Sequence, residues 1–473
     1  MNANRTFIAF ASLAAISMSA HAFDPLRAEQ GIAATAGGSI VPVCAFDAAP
    51  GTPLTLAEAV GRTLCSNPKT RAAWADVKAQ AAGVGVARAA YLPRISANWQ
   101  GVRESSVIDI ENHPALSEDI NALTRTAGVS LNWLLYDFGG REAALKNANA
   151  LLDSVRATQD ATLQGSFAQA AKDYYATQTA IGELQAAREV EAMTRQSMQA
   201  AQTRADKGVA PITDSLQAQT QHEQAVFSLT KAESDAQTAL GTLAADMNLA
   251  PDVPLDVPAV TDTVRIDRAF SESVAEMIRD VQASHPSVRA AQAQYEAAVA
   301  KVSQARAQGL PSISLVAKYS RNNQPQSMGL GLATYSSMGH DAYIGVQVSI
   351  PLFEGFGSNY RIDQAKAQAE QQEDAVEDAK RQVALGVWSS YQTLIGATKN
   401  AENSAILLAI ATRSWDVAKH RYDSGVGSVL ELLNTQAALA NAKQRRVQAL
   451  ADWDNARVDL AGKLGVLGQE NYK

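Results

Sequence analysis

Few side chains in this 473-residue sequence stand where they could do covalent chemistry. His222-Glu223 begins like a zinc-protease helix, but no histidine follows four residues after the first, and the six histidines of the chain are scattered without metal-ligand spacing. No Gly-x-x-x-x-Gly-Lys run is present to cradle a nucleotide phosphate. Gly83-Val84-Gly85-Val86-Ala87-Arg88 imitates a dinucleotide loop, yet it lies inside a helical pattern with no strand before it, and Gly329-Leu330-Gly331 falls in a loop. Cys44 and Cys65 flank a Pro/Gly-rich segment; in an oxidising compartment they can pair, and spacing alone leaves pairing and free thiols equally open. The expectation is a protein without enzymatic activity, cofactor or metal.

The acids at helix starts have structural explanations of their own. Asp214 falls in the first turn after Pro211, and Ser428-Val429-Leu430-Glu431 reads as a capping box, so both complement the positive end of a helix. Each follows a tight turn: Gly208-Val209-Ala210-Pro211 in one case, Gly425-Val426-Gly427-Ser428 in the other.

The elements that position these turns are long. From Val129 to Leu135 apolar residues alternate as in a strand, and after Gly139-Gly140 the period changes to that of a helix at Leu145, Ala148, Leu152 and Val155. The second copy, Gly345–Gly357, places Val346, Val348, Ile350 and Leu352 in alternation before Phe356-Gly357. No proline interrupts residues 139–210, which predicts a helix of roughly 100 Å, far beyond the usual globular length. A helix over 55–91, started by Thr55 and stopped by Leu92-Pro93, precedes a strand at 95–100, and a helix over 212–248 follows the turn. Asn67-Pro68 and Leu92-Pro93 recur as His285-Pro286 and Leu310-Pro311, and Ser197, Arg204, Asp206, Gly208 and Gln219 recur as Ser414, Arg421, Asp423, Gly425 and Gln436, which is a duplication. The expected domains are a signal at 1–22, an arm at 23–53, repeats at 54–250 and 271–466 joined by a linker at 251–270, and a tail at 467–473.

Arg5, the apolar run from Phe7 to Ser19 and Ala20-His21-Ala22 form an export signal with cleavage before Phe23. No cysteine at the cleavage site offers a lipid anchor, and no later run is long and apolar enough for a membrane-spanning helix. The formal charge of −7 argues against a nucleic-acid partner. Four strands cannot close a barrel, and open edges in lipid leave backbone groups unpaired, so the strands must close with those of other copies. Three copies supply twelve, an even number within the outer-membrane range. The two shorter helices, stacked end to end, match the long one in length, so twelve helical columns continue twelve strands. The fold class expected is mainly α with membrane β: a homotrimeric 12-stranded β-barrel continuous with a long periplasmic α-helical barrel.

This duplicated pattern, with its two turns, resembles the TolC-type outer-membrane channels over Leu54 to Val466. Within that family the Cys44–Cys65 segment and Ala79-Gln80-Ala81-Ala82 are most similar to the component that exports adenylate cyclase toxin. The resemblance implies outer-membrane localisation, a large periplasmic part, and a passive exit duct for type I protein secretion. It implies an adaptor at the tip (Gly208, Val209, Ala210, Pro211, Gly425, Val426, Gly427, Ser428) and an inner-membrane ABC transporter or other pump. It also implies a gate, with Asp214 and Tyr422 as lock residues and Glu431 as a ring of acids at the constriction. Gly427 stands where a lock arginine is expected, and Asn434 replaces a second ring acid. Trp99, Trp133, Tyr319 and Tyr343 are expected as interfacial aromatics. The alternatives are the outer-membrane component of a drug efflux pump, and a soluble periplasmic coiled-coil structural or adaptor protein.

Overall fold

The computed structural model describes residues 24–38, 40–46, 50, 53–113, 117–259, 273–323 and 337–467. The expected export signal, the segment Gly329–Gly331, much of the 251–270 linker and all but the first residue of the 467–473 tail lie outside the described residues. The elements run α1 (Leu56–Ser66), α2 (Pro68–Ala89), β1 (Arg94–Ile108), β2 (Glu118–Tyr136), α3 (Gly140–Asp206), α4 (Ile212–Asp246), α5 (Val274–Ser284), α6 (Pro286–Gln308), β3 (Ser312–Asn322), β4 (Gly339–Ser349), α7 (Gly357–Asp423) and α8 (Val429–Leu464). The two longest helices, α3 and α7, have 67 residues each and begin and end 217 positions apart. None of the described helices is long and apolar enough to cross a membrane.

The expected single helix over 55–91 is two helices. Pro68 drives Asn67 into extended geometry (ψ 132°), which ends α1, and Pro68 then opens α2, where its missing N–H costs nothing. His285-Pro286 does the same between α5 and α6 (ψ 135° at His285). The strands also exceed their expected lengths, since Glu104 and the residues after it stay in β1. β4 instead ends at Ser349, before Pro351, so Ile350 and Leu352 leave the sheet.

The chain forms two compact units, each described by itself. The first comprises Met1–Ile32, Ala81–Leu145 and Ala307–Leu352 and contains one antiparallel sheet in the order β1-β2-β3-β4. Its register puts Ile95, Ala97, Trp99, Val129, Leu131, Trp133, Leu315, Tyr319, Ile344 and Val346 on one face. Ser96, Asn98, Gln100, Ser130, Asn132, Lys318 and Gln347 take the other. Tyr343 pairs with Lys318 on this polar face, so of the four expected interfacial aromatics it alone points away from the apolar side. A bulge between Leu134 and Tyr136 ends the regular pairing. There Arg141 donates to the carbonyls of Leu134 (2.6 Å) and Leu135 (3.0 Å) and lies over the Tyr91 ring. Asp137 accepts from the Arg141 backbone N–H at 2.6 Å, capping α3 just after Phe138 and Gly139 turn with φ of 52° and 90°. The second strand-to-helix turn has Gly355 and Phe356 at positive φ and an Arg361–Glu354 ion pair.

The second unit comprises Ala33–Gln80, Lys146–Arg306 and Phe353–Lys473. Here α3 packs on α4 (Thr177 hydroxyl to Ala239 carbonyl, 3.2 Å) and on α8 (Ser197 to Gln436, 3.2 Å). Helix α8 in turn packs on α7, where the buried Arg446 donates to the Ala401 carbonyl (2.7 Å). The order α4-α3-α8-α7 leaves α4 and α7 at the edges. Both shorter helices stack end to end as expected: the end of α4 receives Ser66 on the Met247 carbonyl (2.8 Å), and Gly465 after α8 abuts His285 and Pro286. Cys44 and Cys65 are disulfide-bonded, with Cα atoms 5.7 Å apart, and hold the arm against α1 and α3, where Val41 packs with Val60, Leu64, Leu163 and Phe167.

Breaking the bridge across its 21-residue separation, by Cys44→Ser with Cys65→Ser, is expected to cost about 3 kcal/mol, read from urea unfolding of the purified protein. At the α4 end, burial and the facing carboxyl of Asp173 push Asp246 up to about 7, with Lys69 opposing. The native state therefore binds more protons than the unfolded chain between about pH 4 and 7, and stability falls as pH rises through that window. Asp246→Asn is expected to flatten this slope and to raise the unfolding midpoint at pH 8; an unchanged slope would exclude Asp246 as its source.

Candidate functional site: the two helix-to-helix turns

The turns after α3 and α7 are built alike. Each closes with a glycine at positive φ, Gly208 (72°) and Gly425 (78°), where a side chain would be strained. In both, the N–H one residue later reaches back to an arginine carbonyl at 3.0 Å: Val209 to Arg204 and Val426 to Arg421. Val209 and Val426 are left well exposed at the turn tips. Pro211 then precedes α4 without a side-chain cap, and Ser428 caps α8 by accepting from the Glu431 N–H at 3.1 Å. Ala210 completes the first turn.

At Gly427 a Cβ would sit 2.8 Å from the Tyr422 nitrogen and 3.0 Å from the Arg421 carbonyl carbon, closer than side chains tolerate. A side chain at this position would therefore have to displace the turn backbone.

The charged groups fall into two sets. Tyr422 is buried, and Arg204 stacks on its ring (4.1 Å to the centroid) while donating to its carbonyl at 2.7 Å. This links the end of the first repeat's long helix to the end of the second's. Burial raises the Tyr422 phenol above its ordinary range; Arg204 opposes the shift, and Asp214 adds to it across space. Asp214 is thus brought within electrostatic reach of Tyr422. Glu431 faces Arg421 at 3.5 Å. Below, Gln202 accepts from Ser215 (2.5 Å) and Gln219 (2.9 Å), tying α3 to α4. Arg204 and Arg421 did not stand out as functional in sequence, although each lies four residues before its turn glycine in the repeat register. Among the described residues no group of His, Cys, Asp and Glu could hold a metal ion.

A sheet with one apolar and one polar face, joined through tight turns to paired helices of this length, is the fold of TolC-like outer-membrane channels. The outer membrane protein VceC of Vibrio cholerae has it at a TM-score of 0.72, with 18% identity over 87% of this chain and 96% of VceC. The model of the family described as "Outer membrane efflux protein" matches residues 59–248 and 277–466, and the chain belongs to that family. Its relatives include Protein CyaE of Bordetella pertussis, 32% identical over 88% of this chain and 85% of that one. Outer membrane protein TolC of Escherichia coli is 22% identical over 86% and 81%. The protein is accordingly an outer-membrane protein, of a family and fold that are those of channels rather than enzymes, and the soluble periplasmic alternative is set aside.

Gly427→Ala is expected to displace the α7–α8 turn at a cost of about 1–3 kcal/mol, confined to this tip. Faster hydrogen exchange over residues 421–431, with the sheet unchanged, is the outcome that checks it.

Proposed function

We propose that three copies of this chain close a 12-stranded barrel and a helical tube, forming the passive exit duct of a type I protein secretion system. The observation that carries the reading is a double set of open edges. β1 and β4 each end the sheet with one side unpaired, and in lipid those backbone groups need partners. The outer helices repeat the situation in apolar side chains. Ile212, Leu216 and Phe227 on α4 are exposed, as are Leu385, Trp388, Ile406, Ile410 and Val417 on α7. A neighbouring copy that sets its α7 stripe on this α4 stripe buries both and continues the same rotation until the ring closes.

In this reading the two turns are the inner end of the duct. Gly208–Pro211 and Gly425–Ser428 present their exposed valines to a periplasmic adaptor, which connects the duct to an inner-membrane ABC transporter. Tyr422, held by Arg204 and facing Asp214, fixes the closed position of α7 relative to α3. Threefold repetition sets three Glu431 carboxylates around the axis, each balanced by its own Arg421. Export of a protein toxin as the cargo rests on the likeness to the adenylate cyclase toxin exporters and on the identity with Protein CyaE. The second reading, an outer-membrane component of a small-molecule efflux pump, is favoured by the family's own description; deletion of the gene with assay of secreted protein and of drug sensitivity separates the two.

Single-channel recording in a planar bilayer tests the duct. Wild type is expected to pass a small current, and Glu431→Gln, which leaves Arg421 unbalanced, is expected to shift the permeability ratio several-fold toward anions. No current from a folded trimer would overturn the channel reading, and an unchanged ratio would return Glu431 to helix capping alone.

A further inference from the structure

The apolar face of the sheet carries a feature that the duct does not use. Arg103 on β1, Arg125 on β2 and Arg321 on β3 all lie on that face and are exposed. Arg103 pairs with Leu123 and Arg125 with Gly101, so these two are diagonal neighbours; Ala127 pairs with Arg321, which makes Arg125 and Arg321 diagonal neighbours in turn. Diagonal positions are about 7–8 Å apart, within reach of guanidinium groups on long stems. His340 on β4 stands directly opposite Arg321, its ring 6.3 Å from that of Tyr319. The stripe therefore crosses all four strands. Glu104 and Asp341, the strand carboxylates near it, are turned to the polar face, where Asp341 meets Asn322.

The height of the stripe is informative. It lies toward the β1–β2 and β3–β4 connections, away from the ends that enter the helices. Arg125 stands eleven residues along β2 from Tyr136. That is roughly 37 Å of strand, or about 28 Å along the membrane normal at a tilt near 40°, against an apolar band of about 25 Å. Trp99 and Tyr319, both exposed, lie beside the stripe as aromatics of the interface do. Closing the barrel pairs its edges and leaves this face to lipid. Three arginines at that height, with apolar residues below them, face the head groups of the outer leaflet.

We propose that Arg103, Arg125 and Arg321 form a binding site for the phosphate groups of a phosphorylated glycolipid of the outer leaflet. The inference rests on the barrel reading above. Guanidinium forks match phosphate oxygens in pairs, and at the edge of the apolar band these charge-assisted bonds are formed with little competing water. The acyl chains of the same lipid would lie along Val129, Leu131, Ala97 and Leu315, which continue the face below. A free anion would use only the upper half of this arrangement.

The test uses full-length protein, wild type and the Arg103→Gln/Arg125→Gln/Arg321→Gln triple variant, purified in a zwitterionic detergent. Each is titrated with bisphosphorylated lipid A, with dephosphorylated lipid A and with inorganic phosphate as competitor, and bound lipid is counted by native mass spectrometry. Wild type is expected to bind the bisphosphorylated form at least tenfold more tightly than the dephosphorylated one, and the triple variant to lose that preference. Equal affinities in the two proteins, or no preference in wild type, would overturn the proposal. Displacement of the lipid by millimolar phosphate would overturn the lipid as ligand and leave a free-anion site. Planar-bilayer current separates this from the barrel: unchanged current in the triple variant shows that lost binding is not misfolding. Absence of current in both proteins would remove the barrel and the site with it.

Discussion

A backbone N–H or C=O in contact with lipid must find a partner, and the rest of this structure is arranged around that requirement. Within the chain, β3 and the part of β2 from Thr126 onward are paired on both sides, whereas β1 and β4 are paired on one. The apolar face forbids water as the missing partner, so the sheet by itself is an incomplete object. The same incompleteness appears in the helices, where α4 and α7 bury one apolar side and leave a second set of large apolar residues exposed, while α3 and α8 bury nearly all of theirs. Backbone edges and side-chain stripes thus ask for the same thing, a further copy on each flank, and for this reason closure into a ring is the reading with the fewest unpaired groups.

The transitions between strand and helix are where the geometry is most tightly specified. Gly139 with Phe138, and Gly355 with Phe356, take the left-handed turns, and phenylalanine there is strained enough that its neighbours must hold it. Arg141 does this in the first repeat by filling the carbonyls left open at the β2 bulge, with Asp137 as cap. The second repeat reaches a similar result with a different pair, Arg361 and Glu354. Duplication has kept the register of the helices and let the local solution diverge.

At the opposite ends of α3 and α7 the repeats diverge for use. Arg204 lies on Tyr422, but its counterpart Arg421 has no tyrosine to lie on, because the residue preceding Asp206 is Ala205, and it turns to Glu431 instead. One arginine therefore joins the two repeats while the other balances an acid. An assembly with the symmetry of six equal helical pairs would have no reason to differ in this way. The difference gives the two turns distinct electrostatics within nearly the same backbone.

The sequence by itself determined the element types, their order and the duplication, since two-residue and 3.6-residue periods, prolines and glycines act through neighbours a few positions away. Identical spacing in the two halves made the long helices and their turns legible, and the alternation of strand residues marked the apolar face. Where an effect is local but competes with another, legibility failed: the helical pattern through 55–91 outweighed Pro68, although the same proline is what divides α1 from α2. Other facts had no local signal. That Tyr343 faces Lys318 on the polar side depends on the β3–β4 register. That a side chain at position 427 would displace the turn depends on the nearness of the Tyr422 backbone. The pairing of Cys44 with Cys65, the stacking of Arg204 on Tyr422 and the facing carboxyls of Asp173 and Asp246 join residues far apart in the chain or on different elements. Only tertiary structure decides such contacts, because periodicity fixes which face a residue occupies and packing fixes what that face meets.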